Sequence, residues 1–219
     1  MSAFGFRKPE DLPETIPVFP LPGALLFPRS TLPLNIFEPR YLNMIDDALA
    51  ADRLIGMIQP SAEMESPHPP LAGVGCVGRI TAFSETEDGR YLITLTGVAR
   101  FRVGRELEMH APYRKVAPDW HAFGEGDLSQ REHGGAIDRE ALSRALRKYA
   151  DSRGFQIDWD AASEAPGEML VNVVCAACPF DLQEKQLLLE ADTLADRCDT
   201  LVALLELRAA PPPDSTQMQ

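Results

Sequence analysis

Histidine is scarce in this chain. Four occur, at positions 68, 110, 121 and 133. They are scattered through stretches that read as loops, and none adjoins a nucleophile. The sequence contains no Gly-x-Ser-x-Gly elbow, no His-Glu-x-x-His and no Gly-x-x-x-x-Gly-Lys-Ser/Thr loop. The common serine-hydrolase, zinc-protease and phosphate-loop chemistries therefore lack their residues. Cysteine is also sparse. Four thiols in 219 residues are too few for a disulfide scaffold and fit a reducing compartment. No run approaches the roughly 18 apolar residues that span a bilayer, and the opening stretch from Met1 to Phe19 lacks the apolar centre of a signal peptide. A cytoplasmic protein with no membrane partner is expected. Positive charge is short as well, with 21 Lys and Arg against 33 Asp and Glu and a net charge of −12. Residues 1–120 carry 12 basic and 15 acidic side chains, and residues 121–219 carry 9 and 18. Nucleic-acid binders need a basic footprint to meet phosphate, and this composition offers none.

Proline, by contrast, is abundant, at 19 residues, and it helps to divide the chain. Residues 14–120 read as strands, 121–136 as a glycine-rich polar linker or long loop, 137–208 as helices, and 209–219 as a disordered Pro-rich tail. Strands followed by helices predict an α+β protein. In the first half, "RYLITLTGV" alternates, with Tyr91, Ile93 and Leu95 on one face. Asp88-Gly89 before it predicts a two-residue hairpin turn to "GCVGRITAFS", and Gly97 divides it from a further strand, "ARFRVGREL". Prolines 17, 20, 22, 28 and 33 place the first segments at sheet edges or in extended loops, because proline cannot donate to a central ladder. One helix interrupts this half. It starts at Pro39, which suits a first helical turn, and carries Leu42, Ile45 and Leu49 at helical spacing. In the second half, Asp138 caps a helix bearing Leu142, Ala145, Leu146 and Tyr149. A second helix starts near Pro166 with Leu170, Val173, Val174 and Ala177. Asp181 and Glu184 form a capping box for a third, and Leu194, Cys198, Leu201 and Leu205 line a last one. Single apolar faces predict a small bundle.

Three motifs invite a chemical reading. Cys175-Ala-Ala-Cys178 has the spacing of a redox or half-zinc pair. It sits at the C-terminal end of its helix, where the dipole does not favour a thiolate, and no further ligand pair completes a zinc site; buried packing residues are expected. "GVGCVG" at 73–78 runs into a strand and not a helix, so it cannot cradle a dinucleotide. Glu38-Pro39-Arg40-Tyr41 gathers a carboxylate, a guanidinium and a phenol. No substrate pocket or perturbed carboxylate is legible around them, and a strand-to-helix joint is expected. Phe37 and Tyr41 should pack that joint, and Glu38 and Arg40 should fix it.

The stretch from residue 16 to 49 is similar to the opening of the Lon protease N-terminal, substrate-binding domain. Pro20-Leu21, Leu26-Phe27-Pro28, Leu32-Pro33-Leu34, Ile36-Phe37-Glu38 and Pro39-Arg40-Tyr41 carry the resemblance, followed by "GCVGRI", "DGRYLITLTGVARFRV" and the helical "PFDLQEKQLLLEADTLADRCDTLVALL". It extends over about residues 14–208. The resemblance implies an N-terminal β-rich PUA-like pseudobarrel with one inserted helix, a C-terminal helical bundle, and recognition of unfolded polypeptides or protein partners. It implies a stand-alone relative without ATPase or peptidase modules: a non-catalytic binder, adaptor or chaperone-like, with no cofactor or metal. Leu21, Leu25, Leu26 and Phe27, in the proline-rich segment, are the candidate partner-binding surface, since contiguous exposed apolar residues mark interaction sites. An RNA-binding role by fold analogy and a small-molecule enzyme built on the histidines, the cysteines or the Glu38-Arg40-Tyr41 group are the alternatives.

Overall fold

The computed structural model describes residues 3–61, 69–108, 111–129 and 137–210. Six strands come first: β1 (Ile16–Pro20), β2 (Thr31–Ile36), β3 (Leu54–Pro60), β4 (Leu71–Glu85), β5 (Tyr91–Glu106) and β6 (Arg114–Asp119). Helix α1 (Pro39–Ala50) lies between β2 and β3. The helices α2 (Gly124–Leu128), α3 (Arg139–Arg153), α4 (Trp159–Glu164), α5 (Gly167–Ala177), α6 (Leu182–Glu190) and α7 (Leu194–Ala209) follow. The order is the α+β order that the sequence predicts. No helix among the described residues is long and apolar enough to cross a membrane.

The strands form one mixed sheet in the order β2-β5-β4-β3-β1-β6, in which β6 also pairs with the far end of β5. Among the described strands only β1 and β3 run parallel. The sheet thus curls until its pairing circuit returns to β5, and β2 stays outside the circuit, bonded among the described strands to β5 alone. Pro33 in β2 obeys the edge rule. Pro17 and Pro20 do not lie at an edge, because β1 sits between β3 and β6. The two ladders overlap only at Val18: Pro17 is in register with β6 and Pro20 with β3, so neither proline has a ladder on both sides.

Two turn expectations change. The β4–β5 hairpin closes through three residues, Glu87 to Gly89, between Thr86 and Arg90. The Gly89 amide donates to Thr86 and the Thr86 amide to Arg90. Gly89 takes the left-handed conformation, φ 77°, as a type I turn with a following bulge requires. Gly97 does not break β5, which runs through it for 16 residues. It is glycine for a different reason. A Cβ there would lie 2.0 Å from the Phe27 carbonyl oxygen, since the turn at 27–30 docks onto this point. The Arg29 amide donates to Gly97 O, and the Gly97 amide to Ser30 O.

Two apolar cores result. One fills the curl with Ile16, Val18, Leu54, Val77, Phe101, Val116 and Trp120. The other is larger and continuous from the β half into the helices, from Phe19, Leu26, Phe27 and Ile45 to Leu142, Val171, Leu188 and Leu201. The halves share this core, so the boundary near residue 120 divides textures rather than separate cores. Part of the predicted linker is ordered. Residues 124–128 form α2, and its Leu128 packs into the curl. Residues 130–136 of that linker, and 211–219 of the expected tail, lie outside the described residues; Ala209 is buried at the end of α7. In the bundle, Asp138 caps α3 by accepting from the Ala141 amide at 2.8 Å, and the Asp181–Glu184 capping box is formed. The buried stripe of α5 is Leu170, Val171, Val174 and Cys175, and Val173 and Ala177 face outward.

Candidate functional site

The chain passes from β2 to α1 through residues 37 and 38. Pro39 opens α1, and Glu38 precedes it in extended conformation without capping the helix through its side chain. Its carboxylate instead accepts from Arg40 Nε at 2.9 Å. Both partners are about half exposed, so the pair contributes little. Tyr41 is buried, its ring centroid 4.2 Å from that of Phe19, and the Arg40 guanidinium covers it. Phe37 does not pack the joint; it is 63% exposed. Ile36, the last residue of β2, takes the inward position, and alternation turns the next side chain out.

The expected surface at 21–27 is also corrected. Leu25, Leu26 and Phe27 are buried and Leu21 is half-buried. After β1 the chain crosses from the sheet to the helices, and these side chains join the shared core. Leu25 and Phe27 nevertheless reach a cleft. It measures 790 Å³, and Phe27, Pro28, Ser30 and Thr31 line it on the β side, with Pro166, Met169, Val173 and Ala176 across from them. Met169 and Val173 are 59% and 53% exposed. These two apolar side chains on the outer face of α5, opposite a floor of Leu25 and Phe27, are the kind of exposed apolar pairing that marks an interaction site. Sequence reasoning assigned Val173 to the core stripe and did not single out Met169. Their exposure depends on which face of α5 meets α7, and helical spacing leaves that choice open by one residue.

Charged groups are placed sparingly around this cleft. Arg139 donates through Nη1 to the Ala165 carbonyl at 2.9 Å and through Nη2 to that of Ser163 at 3.0 Å, closing the C-terminal end of α4. Arg29 donates through Nε to both Glu168 oxygens, at 3.1 and 3.0 Å, and through Nη1 to the Asp127 carbonyl. It ties the 27–30 turn, α2 and α5 together. Its own backbone is left-handed, φ 66°, which costs a non-glycine residue.

Beyond Arg29 and Glu168 the cleft continues into a polar chamber of 520 Å³, lined by Arg100, Phe123, Asp127, Leu194 and Arg197, with Glu125 and Asp192 exposed at its mouth. Arg100 is buried and fully engaged. Its Nε meets Asp127 at 3.0 Å, its Nη1 the carbonyl of Leu189 at 3.2 Å, and its Nη2 that of Asp192 at 3.4 Å. Thus β5, α2 and the α6–α7 connection are locked at one guanidinium. Arg197 is equally buried and lies over the Phe27 ring at 4.4 Å.

The remaining motifs separate from the cleft. All four cysteines are free and buried. Burial pushes the Cys175 thiol up to about 12 and the Cys178 thiol up to about 11, and both side chains pack in the larger core. Among the described residues no group of three or more His, Cys, Asp or Glu could hold a metal ion. His121 is exposed; His68, His110 and His133 lie outside the described residues. The "GVGCVG" run belongs to β4. A Cβ at Gly75 would come within 2.6 Å of the Met57 carbonyl oxygen, and one at Gly78 within 2.6 Å of Leu26, so those glycines serve close packing.

The comparisons with known proteins agree with this architecture. The family model of the ATP-dependent protease La (LON) substrate-binding domain matches residues 15–206. Lon protease 2 of Myxococcus xanthus is 31% identical over 215 residues, which cover 94% of this chain and 25% of that protein. Lon protease 2 of Thermus thermophilus is 29% identical, over 91% of this chain and 25% of its own length. The chain therefore spans about a quarter of these relatives. Two solved structures share the fold. A Lon N-terminal domain protein from Xanthomonas campestris has a TM-score of 0.61 at 20% identity, covering 86% of this chain and 97% of that one. The N-terminal domain of a Mycobacterium avium complex Lon protease has 0.58 at 14% identity, covering 87% and 97%.

Proposed function

This chain belongs to the family of LON substrate-binding domains, and from that premise we propose that it is a non-catalytic module that binds polypeptide segments in the cleft between the 25–31 turn and α5. The observation that carries the reading is the placement of Met169 and Val173, both more than half exposed, across the cleft from Leu25 and Phe27. Apolar side chains of an unfolded client would bury there against preformed walls, at about 25 cal/mol per Å² of apolar area removed from water. The charged groups on the rim, Arg29, Glu168 and Arg139, are engaged with one another or with backbone carbonyls, so the site supplies contact area and no poised acid or base. We read the module as an adaptor or chaperone-like binder working in the cytoplasm, where its four free thiols suit a reducing milieu. The circuit from β5 through β4, β3, β1 and β6 back to β5 supports reading the β half as a PUA-like pseudobarrel.

The test is a binding titration with a permanently unfolded, fluorescently labelled client protein, comparing the native chain with Met169→Asp and Val173→Asp. Both substitutions should weaken binding and leave the fold intact. Undiminished binding by both variants would remove the cleft from the account.

A further inference from the structure

The chamber beside the cleft contains a buried charge that no carboxylate among the described residues pairs. Arg29 has Glu168 and Arg100 has Asp127. Arg197, 4% exposed, has no carboxylate partner among the described residues. Its Nε donates to the Leu188 carbonyl at 3.0 Å, its Nη1 to Asn172 Oδ1 at 2.9 Å, and its flat face covers Phe27. Nη2 donates to no described residue, and no sealed side-chain nitrogen or oxygen lacks a partner among the described residues. Nη2 is therefore not sealed, and Arg197 lines the chamber. The carboxylates that act on Arg197 are Asp127 and Glu168, and each is already engaged by another arginine. Burial and the neighbouring Arg100 bring its pKa down to about 10, so it is cationic at neutral pH. Leaving a guanidinium buried without a carboxylate of its own is costly. The arrangement makes sense if the counter-charge arrives with a ligand.

Position identifies the ligand's other half. Phe27 and Asn172, the two side chains that hold Arg197, both line the apolar cleft, and cleft and chamber share Pro28, Arg29, Glu168 and Leu194. Building on the polypeptide-binding reading above, we propose that Arg197 receives a carboxylate of the bound polypeptide. The site would then favour segments in which an acidic side chain or the chain terminus follows an apolar residue. Glu125 and Asp192 at the mouth are exposed and can turn toward water as the ligand's charge enters.

The experiment uses the whole chain and one short leucine-containing peptide in four forms: a free C-terminal acid, its carboxamide, the carboxamide with an internal Asp after the leucine, and the same with Asn. Fluorescence anisotropy should show one or both acidic forms binding about tenfold tighter than the neutral ones, the scale of one charge-assisted contact. The two acid forms tell a terminal from a side-chain carboxylate. In Arg197→Gln and Arg197→Lys the preference should shrink to about twofold, while replacing the leucine by serine still weakens binding. If Arg197→Gln fails to fold, the Arg197 side-chain NMR signals of the native protein take its place, and they should move with the acid peptides and not with the amides. Equal affinity for acids and amides in the native protein overturns the carboxylate assignment and leaves polypeptide binding standing. If no peptide binds, the polypeptide reading fails, and titration with acetate then decides the pocket alone: saturable shifts at Arg197 sustain it, and unmoved signals overturn it.

Discussion

Arg29 and Glu168 lie 139 positions apart in sequence and meet side by side, Nε to carboxylate at 3.0 Å, at the border between the apolar cleft and the polar chamber. One comes from the turn after β1 and the other from the first turn of α5. The pair is partly exposed, so its contribution to stability should be small, about 1 kcal/mol or less. A double-mutant cycle with Arg29→Gly and Glu168→Gln, read by urea unfolding, measures the coupling. Because Arg29 is left-handed, Arg29→Gly should also be more stable than Arg29→Ala, by about 1 kcal/mol.

Asp127 should behave differently. Both it and Arg100 are buried, and the rest of the Arg100 guanidinium is spent on the carbonyls of the α6–α7 connection. Asp127→Ala would strand that charge, at a cost of about 3–5 kcal/mol. Urea denaturation should show the loss, and hydrogen exchange should show α2 and the α6–α7 connection opening first.

Gly97→Ala tests the docking of the 27–30 turn. The added methyl meets the Phe27 carbonyl, a backbone group that cannot swing aside. A loss of about 3 kcal/mol is expected, visible as a lowered Tm.

The thiols predict an alkaline limb to stability. Burial raises Cys175 from 9.0 to about 12, and Cys178 and Cys198 to about 11. A thiol raised in the folded state stabilises the fold fully below its unfolded value. The unfolded chain ionises first as pH rises, so the contribution is lost between about pH 9 and 12. Urea midpoints under reducing conditions should be level near neutrality and fall above pH 9. A thiol reagent at pH 7 should label the native protein only as fast as it unfolds.

Much of this fold could be read in advance, and the failures have local causes. Caps declare themselves within four residues, so Asp138, Asp181 and the start at Pro39 were legible. The alternation of Ile93 and Leu95 likewise gave the buried face of β5. Burial of a proline-rich segment did not declare itself. Leu25, Leu26 and Phe27 look like exposed apolar residues until the helices that cover them are placed. The role of Gly97 depends on a turn 70 positions earlier, and the exposure of Met169 and Val173 on which side of α5 meets its neighbours. Those are tertiary facts with no short-range signal. Arg197 could be named from sequence only as an arginine on an otherwise apolar helix stripe, between Leu194, Cys198 and Leu201.

The most direct test of the account is methyl NMR of the native chain during titration with a permanently unfolded polypeptide. Binding in the cleft predicts saturable shifts at Met169, Val173, Leu25 and Leu194, with the methyls of Val77 and Val98 inside the curl unmoved. Shifts confined to other faces of the molecule, or none at saturating client, would contradict it.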